Sequence, residues 1–232
     1  MSENASTATI CRETLSVGAW QTNGELIADV ARLGWITDYM TVLDVTYGHG
    51  KFWTDYKPPH LLGVDLNPTK SDPDIGPVDF LHPPFPSRSF DAVVFDPPYK
   101  LSGTPSLDDF DERYGIEAPT RWQDRMALIA GGAARCADLA RLHLLVKVQD
   151  QVCSGAMRWQ TREVADAVEP LGFRQADRFD FGALRLDEDN ELDVRRGRPQ
   201  PPGREQKHAR HQASQLLIFT RRGAGNGSKD ER

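Results

Sequence analysis

Cysteine is scarce in this chain. Its three residues, Cys11, Cys136 and Cys153, are scattered and form no CxxC pair. An odd, dispersed set argues against a disulfide framework and against a structural zinc site, and it fits a reducing cytoplasm. His208 and His211 stand three apart with no Cys or carboxylate at ligand spacing, so no metal site is expected and solvated or phosphate-contacting histidines are. No apolar run approaches the roughly eighteen residues of a bilayer-spanning helix. The first residues, Met1 to Thr9, are small and polar and lack a basic stretch followed by an apolar one, so no secretory leader is expected. Positive charge is in deficit: 28 Lys and Arg against 34 Asp and Glu leave a net charge of −6. The total does not advertise a nucleic-acid binder, but the charge is unevenly placed.

What is present suits one domain. The 232 residues with 39% hydrophobic content can bury one sizeable core. Residues 1–16 are expected to be a flexible arm, 17–222 the folded domain with 187–212 as a mobile polar loop, and 223–232 a disordered tail. A first helix is punctuated by Thr22 as N-cap, Glu25 three residues on as in a capping box, and Gly34 at its close. Leu26, Ile27, Val30 and Leu33 share its inward face.

Four short apolar runs follow: Thr41 to Val45, His60 to Val64, Asp91 to Phe95 and Leu142 to Val148. They show little alternation, as parallel strands buried on both faces do. A short helix fits between the first two. A longer one, capped at Thr120, carries Trp122, Met126, Ile129 and Ala133 inward, and another begins near Thr161 with Val164, Val168 and Leu171 inward. Arg174 to Phe181 and Ser214 to Thr220 read as two terminal strands. Strands alternating with helices predict a parallel α/β sheet.

Three signals fall at strand ends. Val42 to Gly50 runs from a strand through Asp44 into a turn with Gly48 and Gly50, suited to a ligand lying against backbone at the carboxyl edge of a parallel sheet. Leu61 to Asp65 is a second strand ending in an acid. An acid there can accept hydrogen bonds from both hydroxyls of a nucleoside ribose. Together these point to a nucleoside cofactor without separating nicotinamide from S-adenosylmethionine. The third signal decides: Asp96-Pro97-Pro98-Tyr99 follows the third run directly. Two prolines cannot continue a ladder, so the chain must break out at the same edge, carrying a carboxylate, a rigid turn and an aromatic ring.

Asp96-Pro97-Pro98-Tyr99 resembles the catalytic motif of the amino-group DNA methyltransferases, which make N6-methyladenine or N4-methylcytosine. The similarity runs from about Ser16 to Arg222. It implies a Rossmann-like class I methyltransferase fold, a mostly parallel seven-stranded sheet with an antiparallel C-terminal hairpin. It also implies S-adenosylmethionine as cofactor and nucleic acid, double-stranded DNA first, as partner. In the family pattern Asp44, Thr46, Tyr47, Gly48 and Gly50 form the cofactor loop. Thr46 stands where an aromatic residue is common, and Tyr47 is expected to supply that packing. Asp65 with Leu66 matches the ribose-binding acid, and Asp79-Phe80 resembles the segment holding the adenine ring.

The chemistry suits these residue types. An exocyclic amine is a poor nucleophile because its lone pair is delocalised into the ring. Two acceptors on its hydrogens, the Asp96 carboxylate and the Pro97 carbonyl, favour a pyramidal nitrogen, and Tyr99 can stack on a base flipped from the duplex. N6 of adenine is the first expectation. N4 of cytosine, RNA, a protein amide, or a non-catalytic cofactor-binding subunit are the alternatives. A nicotinamide oxidoreductase would need GxGxxG, whereas Phe52 and Trp53 follow Gly50. The basic stretch with Arg195, Arg196, Arg198, Lys207 and Arg210 holds one acid, Glu205, and is expected to track phosphates. Lys147 and Asp150 are expected to pair at a strand end, with lining of the pocket as the alternative, and Trp20 to cover the cofactor or to pack in the core or on the surface.

Overall fold

The computed structural model describes residues 20–67, 69–101, 121–182 and 213–223. The expected arm at 1–16, the loop at 187–212, nearly all of the tail and the Thr120 cap lie outside them. The first helix, α1 (Asn23–Arg32), begins as its sequence dictates. Thr22 Oγ accepts from Glu25 N–H at 3.1 Å, and the Glu25 carboxylate accepts from Gln21 N–H at 2.7 Å, one residue ahead of the usual capping-box donor. It ends in a Schellman pattern, with Gly34 N–H on the Ala31 carbonyl and Trp35 N–H on the Val30 carbonyl.

The strands β1 (Val42–Asp44), β2 (Leu61–Gly63), β3 (Phe90–Phe95) and β4 (Ala140–Val148) are parallel and lie in the order β2-β1-β3-β4. Beyond β4 the sheet turns antiparallel. The last strand, β8 (Ser214–Arg221), inserts between β4 and β7 (Phe173–Phe181). Six strands thus form the sheet among the described residues, where seven were expected. The stretch 66–86 after β2 carries Pro68, Pro73, Pro77, Pro83, Pro84 and Pro86. Prolines give no N–H to a ladder, so this stretch forms no edge strand.

Alternate residues of the sheet face opposite layers. Val42, Ala92, Val94, Leu145, Leu216 and Ile218 pack with Leu26, Ile27 and Val30 of α1 and with Trp20, Phe52 and Trp53. Leu43, Val93, Phe95, Leu144, Val146 and Phe219 pack with α2 (Trp122–Leu139) and α3 (Gln160–Val168) through Met126, Ile129, Ala133, Val164 and Val168. Trp20 belongs to the core: its indole N–H donates to Asp29 at 2.8 Å and its ring meets Phe179 edge-on. Among the described residues no helix is long and apolar enough to cross a membrane. A small hairpin, β5 (Gln151–Cys153) and β6 (Ala156–Arg158), projects beyond β4 at the carboxyl edge of the sheet.

Candidate active site

The carboxyl ends of β1, β2 and β3 bring the three strand-end signals together. Gly48 and Gly50 both take left-handed backbone, with φ of 55° and 66°, and turn the chain into a short 3-10 turn at Lys51–Trp53. A cleft of about 170 Å³ lies against this loop. Asn23, Asp44, Thr46, Tyr47, Gly48 and Asp96 line it, with His49, Lys51, Phe52 and Lys70 around them.

Asp44 is buried. One carboxylate oxygen accepts from Trp53 Nε1–H at 2.8 Å and the other from Thr46 N–H at 3.0 Å. Burial outweighs these bonds and pushes its carboxyl up to about 7, with Asp96 and Asp65 adding repulsion. Thr46, assigned to the cofactor loop, also serves the proline turn: its hydroxyl accepts from Asp96 N–H at 2.7 Å. Tyr47 lays its ring on Gly63, where an added Cβ would sit 2.3 Å from the ring. The ring thus packs against β2.

Asp65 is also buried, and its carboxylate supports the glycine loop, accepting from Gly48 N–H at 2.9 Å and from Asn67 N–H at 2.8 Å. Each oxygen keeps a further lone pair for a ribose hydroxyl. Neither Asp65 nor Leu66 lines the described cleft, and of the cofactor-loop residues Gly50 does not either. Asp79 accepts from Leu81 N–H and pairs with His82, while the Phe80 ring sits in the core against Phe95 at 5.0 Å. Neither Asp79 nor Phe80 lines the cleft.

The Asp96-Pro97-Pro98-Tyr99 turn leaves β3 at the cleft. Asp96 Oδ1 is shut off from solvent and has no hydrogen-bond partner among the described residues. Burial pushes the Asp96 carboxyl up, and Lys147 opposes that rise. Tyr99 is pushed up to about 12 by burial first and by Asp96 second, against a hydrogen bond with Ser214, so it is a neutral phenol at physiological pH. The Tyr99 carbonyl accepts from Gln151 Nε2 at 2.8 Å and from Gln160 Nε2 at 2.6 Å. Gln151 Oε1 also accepts from Leu101 N–H at 3.0 Å. Two glutamines thus clamp the turn to the hairpin and to the first residue of α3.

No protein-family model matches the sequence, and no curated protein matches it at a significant level. Solved structures do match by shape. A methyltransferase candidate from Bacillus halodurans superposes with a TM-score of 0.50 at 13% identity, over 85% of this chain and 99% of that one. The chain has the Rossmann-like methyltransferase fold. Magnesium protoporphyrin IX methyltransferase from Synechocystis PCC 6803, with bound S-adenosylmethionine, gives 0.43 at 14% identity, over 86% of this chain and 77% of that one. A candidate DNA modification methylase from Thermus thermophilus gives 0.37 at 16% identity, over 63% and 52%. The expected fold class is borne out, with six strands in the sheet among the described residues where seven were expected.

Within this methyltransferase fold, the expected Lys147–Asp150 pair is corrected. Lys147 Nζ lies 2.9 Å from Asn23 Oδ1 and 3.8 Å from Asp96 Oδ2. Asp150 instead caps α3, accepting from Thr161 N–H and Thr161 Oγ–H, both at 3.0 Å. Their side chains leave the strand end for different neighbours, one toward the α1 layer and one toward α3. Asn23, Gln151 and Gln160 were missed altogether, because isolated amide side chains carry no pattern. A Lys inside the apolar run Leu144 to Val148 was the one visible signal. Arg195, Arg196, Arg198, Lys207 and Arg210 lie outside the described residues.

Proposed function

We propose that the chain is an S-adenosylmethionine-dependent methyltransferase acting on the exocyclic amino group of a nucleic-acid base, N6 of adenine in DNA first and N4 of cytosine second. The observation that carries this reading is Asp96 on a proline turn that borders a glycine-loop cleft, with its Oδ1 shut off from solvent and lacking a partner among the described residues. Leaving such an acceptor unpaired is costly, and its complement is a donor such as an amine hydrogen. Asp44, Thr46, Tyr47, Gly48 and Gly50 would hold the cofactor, with Asp65 and Leu66 toward its ribose. The adenine-side role of Asp79 and Phe80 rests on the family resemblance alone. When bound, the cofactor supplies an electrophilic methyl group.

The chain's own residues would do the rest by position and charge. Asp96 accepts one amine hydrogen and the Pro97 carbonyl the other, localising the nitrogen lone pair. Tyr99 offers an uncharged ring face to the base. The Asp96 carboxylate then offsets the positive charge growing on the nitrogen, and the proton that the methylated amine releases passes to Asp96 and from there to solvent. Arg195, Arg196, Arg198, Lys207 and Arg210 are assigned to backbone phosphates on sequence grounds.

The test is incubation with methyl-labelled cofactor and genomic DNA or total RNA, followed by nucleoside identification. Label in N6-methyldeoxyadenosine supports the reading, and Asp96→Ala should abolish it while cofactor affinity stays within a few-fold. Label only in RNA or protein would replace the substrate. Cofactor binding without transfer to any acceptor would favour a non-catalytic subunit.

A further inference from the structure

We propose that Lys147 is a positioning residue that orients the Asp96 carboxylate through its charge and favours the ionised form, the form that accepts from the substrate amine. The inference rests on the amino-group methyltransferase reading. Lys147 sits on β4, flanked by the fully buried Val146 and Val148, and is itself 4% exposed. Two residues after Leu145 it points to the same sheet face, toward α1, where the pattern calls for an apolar side chain. A lysine is rarely found in such a place unless something compensates its charge.

The surroundings stabilise a cation without neutralising it. Asn23 of α1 offers Oδ1 at 2.9 Å. Ring centroids stand at 5.0 Å for Phe181 on β7, 5.2 Å for Phe52 and 6.0 Å for Tyr99, within cation–π range. The one carboxylate paired with Lys147 among the described residues is Asp96, at 3.8 Å. That distance conveys charge but is too long for a hydrogen bond, so Oδ2 is attracted while its acceptor capacity is not used up. Around Asp96 the other groups work against ionisation or are neutral: Asp44 from β1 repels it, Tyr99 is a neutral phenol, and burial penalises the charge. His49, Lys51 and Lys70 also line the cleft that Asp96 borders.

Ionisation matters to the proposed chemistry. A protonated Asp96 would present an O–H donor toward the amine and could not offset its developing charge. Lys147 is therefore the counterweight that favours the carboxylate form of Asp96 against the cost of burial, and that form acts as a pure acceptor.

The experiment is carbon-13 NMR titration of the aspartate carboxyl signals in the full-length chain, with the Asp96 signal assigned through Asp96→Asn. Wild type is compared with Lys147→Met and Lys147→Arg. Lys147→Gln, which retains a donor for Asn23, supplies the same comparison should Lys147→Met fail to fold. In the neutral variants the Asp96 midpoint should rise by at least about one pH unit, a tenfold tighter proton, while Lys147→Arg stays near wild type. The acidic limb of the kcat profile should move up with it. An unchanged Asp96 midpoint in the neutral variants overturns the proposal. The titration needs no methyl acceptor, so failure of the methyltransferase reading would show separately, as absent transfer beside a shifted midpoint.

Discussion

Gln160→Leu isolates the clamp on the catalytic turn. Gln160 is wholly buried at the start of α3, donates to the Tyr99 carbonyl at 2.6 Å and accepts from Gln149 N–H at 3.4 Å. Leucine fills a similar volume but makes neither bond. The Tyr99 carbonyl keeps Gln151 at 2.8 Å, so it is not orphaned and the full penalty for a bare buried acceptor does not apply. The expected stability loss is then about 1–2 kcal/mol. In a domain of this size that lowers the melting temperature by about 2–8 °C, at roughly 2–4 °C per kcal/mol. Catalysis should suffer more than stability. Asp96 and Tyr99 share the tethered turn, and small misplacements of reacting groups cost up to about a hundredfold in rate. A tenfold or greater fall in kcat is expected, with cofactor Kd within about twofold because Gln160 does not line the cleft. Thermal melts, calorimetric cofactor titration and single-turnover methyl transfer would read the three quantities. A lowered melting temperature with kcat within twofold of wild type would refute the reasoning and show that the two prolines hold the turn unaided.

Asp44 should make stability depend on pH. Its folded-state carboxyl is raised from 3.8 to about 7, so the folded protein binds this proton more tightly than the unfolded chain. Its contribution is complete below pH 3.8 and is lost as pH rises through about 7, a swing of about 4 kcal/mol from roughly three units. Urea unfolding of wild type and Asp44→Asn across about pH 5 to 8 checks this, and parallel curves would contradict it. Gly63→Ala should cost about 1–3 kcal/mol, because its Cβ would stand 2.3 Å from the Tyr47 ring. That loss should be largely relieved in a Tyr47→Ala background, and additive losses in the double-mutant cycle would count against the contact. Reversing Arg195, Arg196 and Arg198 to Glu should weaken nucleic-acid binding and flatten its salt dependence while leaving cofactor affinity unchanged. A salt slope equal to wild type would place the phosphate contacts elsewhere.

Local and periodic information made much of this protein legible before any coordinates. The cap at Thr22, the closure at Gly34, the four parallel strands and the breakout at Asp96-Pro97 depend on neighbours within a few residues, or on burial of both sheet faces, although β2, at the sheet edge, is only half-buried. Each is written in residue type and spacing. The β5–β6 hairpin was legible but unread: its two-residue turn is Ser154-Gly155, a known hairpin signal.

Other features were not written locally. Lys147 meets Asn23 across 124 residues because β4 runs beneath α1, and it meets Asp96 because β3 and β4 are neighbours. Gln160 reaches Tyr99 across 61 residues only because α3 begins beside the catalytic turn. Asp65, whose type suggests a ligand acid, spends its carboxylate on the Gly48 N–H, a partner set by the pairing of β1 with β2. The sequence by itself determined which elements form and which chemistry reaches the sheet edge. Only the order of the strands decided which buried polar atoms find partners there and that Asp96 Oδ1 finds none among the described residues, because hydrogen bonds and charge pairs act over a few ångströms and carry no trace in sequence spacing.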